Sequence, residues 1–264
     1  MNKRLSTLIL ILCACLMLMP GASAEEREFE DIIDELSEEC NIPVKNLIVG
    51  YMNLVTGEEH YWQGDKWEYG ASMYKVPLSM YVAEKKLSGK LNWEKKYPKI
   101  PYKYVLEETL LYSSNRWAKF LWEACGSYTD YKRGAMPYLG LEKSDLYAGY
   151  YCDNKFTARQ MISCLKTLYD EPDRFPDILD LMKEADPERF FRFSEKRYDI
   201  AQKYGFVKEN GSYYVNTCGI VFTDEPIAIV IFTKNAPHSD ATISAYCTAM
   251  CNYTENKIKA SEDR

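Results

Sequence analysis

The heptapeptide Ala71-Ser72-Met73-Tyr74-Lys75-Val76-Pro77 opens a segment whose apolar residues recur at helical spacing as far as about Leu87. Residues three apart share one face of a helix, so the Ser72 hydroxyl and the Lys75 amine can meet there. A serine hydroxyl becomes a good nucleophile when a neighbouring base takes its proton. Lysine can be that base where burial lowers its pKa and leaves a neutral amine. The S-x-x-K pattern therefore predicts a serine nucleophile with a lysine base.

A second polar motif, Tyr112-Ser113-Ser114-Asn115, contains the only S-x-N in the chain. The Ser113 hydroxyl could relay a proton to a leaving group, and the Asn115 side chain offers a donor and an acceptor for a substrate amide. The alternative interpretation is a pair of serines that caps a helix at a turn.

A third motif, Lys203-Tyr204-Gly205, lies in a β-rich segment. A fixed cation on a strand edge can hold a substrate carboxylate, and glycine lets backbone and ligand approach closely. The N–H of the next residue, Phe206, could contribute to an oxyanion hole. Each pattern is weak alone, since S-x-x-K recurs at Ser163-Cys164-Leu165-Lys166 and K-x-G at Lys132-Arg133-Gly134.

The order of predicted elements places these motifs in one fold class. Hydrophobic patterning predicts helices at 26–39, 72–87, 114–125, 157–169, 178–185 and 239–259. It predicts strands at 46–54, 58–63, 199–207, 213–222 and 227–232, with a turn at Asn210-Gly211. Because the strands lie towards both chain ends, we expect an α/β (α+β) fold: an antiparallel five-stranded sheet flanked by N- and C-terminal helices, with an inserted all-helical lobe.

The domain boundaries follow from that order. We expect an α/β lobe formed by residues 25–70 together with 195–264, and a helical lobe over 71–194. A site between two such lobes is the default expectation.

Composition excludes several other classes of protein. The 264 residues include 33 Lys+Arg and 39 Asp+Glu, a net charge of −6, and 47% hydrophobic residues. Normal hydrophobicity excludes intrinsic disorder, and the acidic balance argues against nucleic-acid binding. With two histidines, His60 and His238, and no C-x-x-C pair, we expect no zinc site. No metal or organic cofactor is implied.

The N-terminus is typical of an export signal. A basic n-region at Asn2-Lys3-Arg4 precedes an apolar stretch over 5–19 and the small-residue site Ala22-Ser23-Ala24. The apolar stretch is shorter than the ~20 residues a membrane-spanning helix needs. We expect cleavage after Ala24 and a secreted or cell-surface protein without a stable transmembrane segment. The alternative is a lipoprotein processed at Cys15, although the chain after Cys15 remains apolar.

The three motifs, in this order, resemble those of penicillin-recognising serine hydrolases, and class A β-lactamases in particular. The resemblance covers about residues 45–235. The segments 54–59 (LVTGEE) and 71–77 (ASMYKVP) look like that family's hairpin and nucleophile segments. Leu111-Tyr112-Ser113-Ser114-Asn115 and Gly219-Ile220-Val221 also fall where its motifs would. A β-lactamase/transpeptidase-like fold is what this resemblance implies.

The resemblance assigns catalytic roles to three residues. Ser72 would be the acylated nucleophile and Lys75 its proton acceptor. Ser113 would pass a proton to the leaving nitrogen.

It also assigns substrate-binding roles. Asn115 would bind the acyl amide, and Lys203 beside Gly205 would hold the β-lactam carboxylate. The backbone N–H groups of Ser72 and Phe206 would form the oxyanion hole, where losing one donor typically costs ~3–4 kcal/mol.

The sequence departs from that family in two motifs. Ser114 stands where the family has Asp, a mild change because serine still hydrogen-bonds locally. Tyr204 stands where it has Thr or Ser, which removes a small hydroxyl from the carboxylate pocket and adds bulk.

A larger departure concerns release of the acyl group. Class A enzymes activate the hydrolytic water with a Glu in an E-x-x-L-N context, which is missing here. The stretch from 141 to 156 holds only Glu142, Asp145 and Asp153, and no motif assigns the role to any of them. A general base contributes about 10²–10⁴ in rate, so its loss would slow deacylation while leaving acylation possible.

The function expected from these features is an exported bacterial serine hydrolase, a monomer, acting on a β-lactam or a related D-Ala-D-Ala-like amide. One alternative is a D,D-peptidase or esterase with slow deacylation that acts on peptidoglycan peptides. The other is a non-catalytic cell-wall-binding protein that retains the fold.

Overall fold

A computed structural model describes residues 28–262, and the strands in this part of the chain form one large sheet and one small one. In chain order the strands are β1 (Leu47–Asn53), β2 (Glu59–Trp62), β3 (Glu68–Tyr69), β4 (Lys155–Phe156), β5 (Ile200–Glu209), β6 (Ser212–Val221) and β7 (Ile227–Lys234). The large sheet is antiparallel and five-stranded, in the order β2-β1-β7-β6-β5. The expected fold class is confirmed. The predicted export signal at 1–24 lies outside the described residues.

Nine α-helices accompany these strands within residues 28–262. They are α1 (Phe29–Glu39), α2 (Lys75–Leu87), α3 (Trp93–Lys96), α4 (Tyr102–Leu110), α5 (Asn115–Ala124), α6 (Tyr128–Ala135), α7 (Ala158–Asp170), α8 (Ile178–Glu184) and α9 (Ser239–Glu262). Short 3-10 turns lie at Val44–Asn46, Ala71–Tyr74, Lys143–Asp145, Pro172–Arg174 and Phe190–Phe193. No helix of the described chain combines the length and the apolar character needed to cross a bilayer.

Strand β7 is buried on both faces, which separates two hydrophobic clusters. Ala228, Val230 and Phe232 pack with the central helices, whereas the alternate residues Ile229 and Ile231 pack with α1 and α9. Alternate side chains of a strand point to opposite faces, so one apolar strand can serve two layers of helices.

The sheet joins the two ends of the chain directly. Strand β1 pairs with β7 along its whole length, from Leu47 opposite Thr233 to Asn53 opposite Ile227. The tight turn between β5 and β6 falls at Asn210-Gly211, as predicted, with φ of +48° and +77°. Asparagine and glycine are the residues that best tolerate this left-handed backbone.

The segment between the two halves of the sheet is helical, as expected, except for β4. That strand of two residues pairs with β3. Two residues are too few to show a periodicity, so the sequence pattern did not indicate it. The lobe boundaries at 70/71 and 194/195 remain a prediction.

Candidate active site

Ser72 and Lys75 lie at the junction of a 3-10 turn and helix α2. The turn covers Ala71–Tyr74, and Lys75 is the first residue of the α-helix. The Lys75 Nζ lies 3.0 Å from the Ser72 Oγ. Pro77 is tolerated because it falls in the first helical turn, where backbone N–H groups have no partner within the helix. The spacing of three residues therefore brings the two side chains into contact.

The Lys75 amine is surrounded by oxygen atoms from a second loop. Its Nζ lies 2.5 Å from the Ser113 carbonyl oxygen, 3.2 Å from the Ser113 Oγ and 2.8 Å from the Asn115 Oδ1. The Ser113 backbone is left-handed, with φ of +56°. Such a conformation is uncommon outside glycine and concentrates at functional sites.

Burial controls the charge of this amine. The Lys75 side chain is completely buried, and its removal from water lowers the pKa of Lys75 to about 7. A neutral amine has two N–H groups and one lone pair. The Ser113 carbonyl and the Asn115 Oδ1 can only accept, so they use the two N–H groups. The lone pair is then available to the hydroxyl proton of Ser72.

The two serines of the second motif have different surroundings. Ser114 is the N-cap of α5, and its side chain accepts a hydrogen bond from the Trp117 N–H at 3.4 Å. Ser113, one residue earlier, faces Lys75 instead. Replacement of the family's Asp by Ser114 therefore leaves the helix end capped.

The third motif lies on the edge strand β5, directly beside the nucleophile segment. A Cβ atom added to Gly205 would lie 2.3 Å from the backbone nitrogen of Ser72 and 2.8 Å from the Cβ of Ala71. Backbone atoms cannot yield to such a contact, so only glycine fits here. The expected close approach at Gly205 is made to the chain itself.

Lys203 is fully buried on the same strand. Its Nζ donates a hydrogen bond to the Tyr204 carbonyl oxygen at 3.0 Å and lies 3.9 Å from the centre of the Tyr204 ring. Burial lowers the pKa of Lys203 well below its ordinary value, and the nearby charge of Lys75 lowers it further. The two amines thus share one electrostatic environment.

The Tyr204 ring packs towards the other side of the sheet, although the Lys203 Nζ reaches to within 3.9 Å of the ring centre. It stacks on Phe190, with ring centres 4.5 Å apart, in the cluster on the other side of the sheet. Lys203 and Gly205 point to one face, and Tyr204 and Phe206 alternate to the other. The Phe206 side chain is 54% exposed, so only its backbone can take part in the site.

None of the three loop acids is hydrogen-bonded to Ser72 or Lys75 in the described structure. Glu142 and Asp145 cap each other around the 3-10 turn at Lys143–Asp145. Asp153 accepts a hydrogen bond from the Tyr147 hydroxyl at 3.2 Å. The loop therefore lacks the E-x-x-L-N sequence and also lacks an acid that is hydrogen-bonded to Ser72 or Lys75.

The second copies of the two patterns have different surroundings. In Ser163-Cys164-Leu165-Lys166 the lysine pairs with Asp170, four residues on, and not with Ser163. Lys132 is buried against the rings of Tyr150 and Phe156, at 4.0 and 4.5 Å from their centres. Neither copy brings together a serine hydroxyl, a lysine amine and an asparagine side chain, as happens at Ser72, Lys75 and Asn115.

Asn154 is a neighbour of the nucleophile that the sequence did not indicate. Its Nδ2 donates to the Ala71 carbonyl oxygen at 2.7 Å, and its own carbonyl accepts from the Gly70 N–H at 2.8 Å. A single asparagine in a loop has neither period nor motif, so no signal could have found it.

The described residues offer no competing metal centre. Among residues 28–262, no three or more His, Cys, Asp or Glu side chains are placed to bind a metal ion. Two surface cavities, of about 530 and 590 Å³, are lined by other residues and include none of the predicted site residues.

Several solved structures of β-lactamases have a fold similar to that of this chain. Similar folds include a β-lactamase from Chitinophaga pinensis (18% identity, TM-score 0.66, 87% of this chain and 98% of the other). They also include the TLA-1 extended-spectrum β-lactamase (16%, 0.71, 86% and 99%). An ancestral class A β-lactamase is likewise similar (16%, 0.67, 86% and 99%). No curated protein sequence matches this chain significantly. The model of the β-lactamase enzyme family matches residues 26–252, and the chain belongs to that family.

Proposed function

We propose that this protein is an exported serine hydrolase that opens β-lactam rings, or related D-Ala-D-Ala-like amides, through an acyl-enzyme at Ser72. One observation carries the proposal: the buried Lys75 amine, with its pKa lowered to about 7, lies 3.0 Å from the Ser72 Oγ. A neutral amine at that distance is suited to take the hydroxyl proton as the oxygen attacks a carbonyl.

The bond changes of acylation can be followed atom by atom. The Ser72 oxygen bonds to the amide carbon, and its proton passes to Lys75. The amide C–N bond then breaks, and Ser113 passes a proton to the leaving nitrogen. Ser113 suits this step because its Oγ lies 3.2 Å from the Lys75 Nζ, from which it can regain a proton. Water later releases the acyl group.

Substrate binding is proposed for the groups around this pair. Asn115, which is exposed to solvent, would bind the acyl amide. Lys203 would hold the substrate carboxylate, whose negative charge would favour the charged amine that burial disfavours. The backbone N–H groups of Ser72 and Phe206 would hold the oxyanion. Strand β5 is the edge of the sheet, so alternate N–H groups along it are free to face a ligand.

Export is proposed on the basic, apolar and small-residue sequence of 1–24, and a monomer remains the expected state. Processing at Cys15 is the alternative. Either route would place the site outside the cytoplasm, where cell-wall peptides and β-lactams are met.

Slow deacylation is favoured by one specific observation. Glu142 and Asp145 cap each other, and Asp153 bonds Tyr147, so no loop acid is aimed at Ser72. Without such a base the acyl-enzyme would persist, as in penicillin-binding proteins. A D,D-peptidase or esterase is the second candidate for that reason. The assembled Ser72–Lys75 pair speaks against a purely non-catalytic cell-wall-binding role.

The test is to incubate the processed chain with a fluorescent penicillin and to measure intact mass and peptide masses. Because ring opening loses no atoms, we expect a gain equal to the whole penicillin, on the peptide that contains Ser72. The adduct should survive removal of excess penicillin. Turnover of a chromogenic cephalosporin, compared with D-Ala release from a peptide, separates the two candidate activities. Absence of any adduct, with Ser72→Ala behaving as the wild type in both adduct formation and turnover, would reject the covalent mechanism.

Acylation is expected to depend on pH through Lys75. Burial lowers the pKa of Lys75 to about 7, so the neutral, proton-accepting form predominates above pH 7 and declines below it. The acylation rate constant should fall about tenfold per pH unit below 7, to roughly 1% of its plateau at pH 5. Stopped-flow measurement with a fluorescent penicillin checks this. A flat profile from pH 5 to 8 would exclude Lys75 as the base.

A further inference from the structure

The backbone immediately before the nucleophile is held in a strained conformation. Ala71 has a φ of +46°, in the left-handed region that non-glycine residues rarely adopt. Such a residue is strained and persists only where its surroundings hold it. The contacts of this segment therefore indicate what fixes Ser72.

Asn154 makes hydrogen bonds to both residues that precede Ser72. Its side-chain Nδ2 donates to the Ala71 carbonyl, and its backbone carbonyl accepts from Gly70. The other side-chain atom, Oδ1, is buried and has no hydrogen-bond partner in the described structure. An unpaired buried acceptor is unfavourable. The bond to Ala71 is thus the one hydrogen bond that the Asn154 side chain makes.

Asn154 is itself firmly placed. The next two residues form β4, and the completely buried Phe156 ring packs on Gly70, where an added Cβ would lie 2.6 Å from the ring. Lys132 lies over that ring and over Tyr150 of the same loop. The packing of Phe156 and Tyr150 therefore holds the loop that carries Asn154 in place.

The geometry of one peptide group links Asn154 to Ser72. The Ala71 carbonyl and the Ser72 N–H belong to the same planar, trans peptide unit, so they point in opposite directions. A hydrogen bond that fixes the carbonyl also fixes the direction of the N–H. It further polarises the peptide and makes that N–H a better donor.

The opposite side of this peptide is the strand that carries the third motif. Gly205 is so close that an added Cβ would lie 2.3 Å from the Ser72 nitrogen. Asn154 and β5 thus lie on opposite sides of the peptide group that joins Ala71 to Ser72. The Ala71 carbonyl is towards Asn154, and the Ser72 N–H is towards β5.

We propose that Asn154 is a positioning residue that orients the Ser72 N–H, through the Ala71 carbonyl, for an oxyanion formed at Ser72. The inference rests on the proposed function, since it assigns the geometry of that same site. Asn154 touches no reacting atom, and its effect passes through the peptide plane.

The test compares Asn154→Ala and Asn154→Asp with the wild type. The aspartate variant keeps the size of the side chain and replaces the amide donor by an acceptor. The probe is an arylboronic acid, which forms a tetrahedral adduct on a serine oxygen. We expect both variants to bind it about 10- to 100-fold more weakly and to acylate more slowly by a similar factor. The pH midpoint near 7 should not move, because Lys75 is unchanged. Asn252→Ala, on the outer part of α9, is the matched control and should behave as the wild type.

The NMR signal of the Ser72 amide does not depend on acylation, so it tests the role of Asn154 separately from the proposed function. The Ser72 amide resonance should shift upfield in both Asn154 variants and stay in place in Asn252→Ala, because its peptide loses a carbonyl hydrogen bond. If both Asn154 variants bind the boronate as tightly as the wild type and the Ser72 resonance does not move, the role of Asn154 is wrong. The proposed function would not be affected by that result. A wild type that forms no adduct, with the resonance still shifted in the variants, would overturn the proposed function and leave the positioning contact standing.

Discussion

Exchange of Ser72 for alanine is expected to abolish the covalent penicillin adduct. The proposed acyl-enzyme needs an oxygen at this position, and none of the remaining groups at the site can replace it. Lys75 donates to the Ser113 carbonyl and the Asn115 side chain in any case, so its environment should survive the change. We expect the acylation rate constant to fall by at least about 10⁴-fold. Intact-mass spectrometry with a fluorescent penicillin measures it.

The second S-x-x-K of the chain provides a matched control. Ser163 stands three residues before a lysine that pairs with Asp170, so the pattern is the same and the contact is absent. Ser163→Ala should react as the wild type does. Adduct formation in Ser72→Ala at the wild-type rate would place the nucleophile elsewhere and refute the assignment.

Exchange of Lys75 for methionine is expected to lower the acylation rate constant by about 10²- to 10⁴-fold, the usual contribution of a general base. Methionine has a similar length and no titratable group. The dependence of the rate on pH around 7 should disappear together with the amine. Lys166→Met, in the second copy of the pattern, is the control and should keep both rate and pH profile. An unchanged pH profile in Lys75→Met would assign the proton transfer to another group.

Protein stability provides an independent check on Lys75. Its pKa is about 7 in the folded protein and near the ordinary ~10.5 in the unfolded chain. Between these values the unfolded chain binds more protons, so the free energy of unfolding of the wild type rises with pH. That rise should be reduced in Lys75→Met. Its thermal unfolding at pH 6, below the folded pKa, should occur at the wild-type temperature or above it.

The parts of the fold that the sequence could predict are those that repeat along the chain. Short runs of apolar residues predicted β1 and β7, and helical spacing predicted α5 and α7. Threonine is a residue type favoured at N-caps, and the side chain of Thr157 accepts a hydrogen bond from the Gln160 N–H at 3.2 Å. Local patterns of this kind need no knowledge of the rest of the molecule.

The candidate site could be predicted in part, because three motifs carry their own chemistry. Ser72 and Lys75 are three residues apart in one helical segment, and the structure places them 3.0 Å apart. The contact with Ser113 depends on a left-handed backbone at that residue, which the sequence does not reveal. The clustering of distant motifs came from the resemblance to a family, not from spacing.

The remaining features depend on contacts between distant segments. Two contacts depend on the packing of three segments against one another. Gly205 faces the Ser72 backbone, and Asn154 faces the Ala71 carbonyl. Tyr204 was expected to crowd the carboxylate pocket. The alternation of the strand directs its ring to Phe190 on the far face, where the centre of the ring still lies 3.9 Å from the Lys203 Nζ. The consequence of a substitution in a strand thus depends on which face receives the side chain.

The pairing of β1 with β7 also constrains when this protein can fold. The two strands are separated by about 180 residues. At typical rates of synthesis of ~5–20 residues per second, the ribosome needs roughly 10 to 40 s to supply β7 after β1. During that interval one edge of the apolar strand β1 lacks its partner, although β2 can already pair with the other edge. Contacts this distant along the chain also slow folding. The same interval is when the proposed export would have to begin, while the polypeptide can still be threaded through a translocation channel.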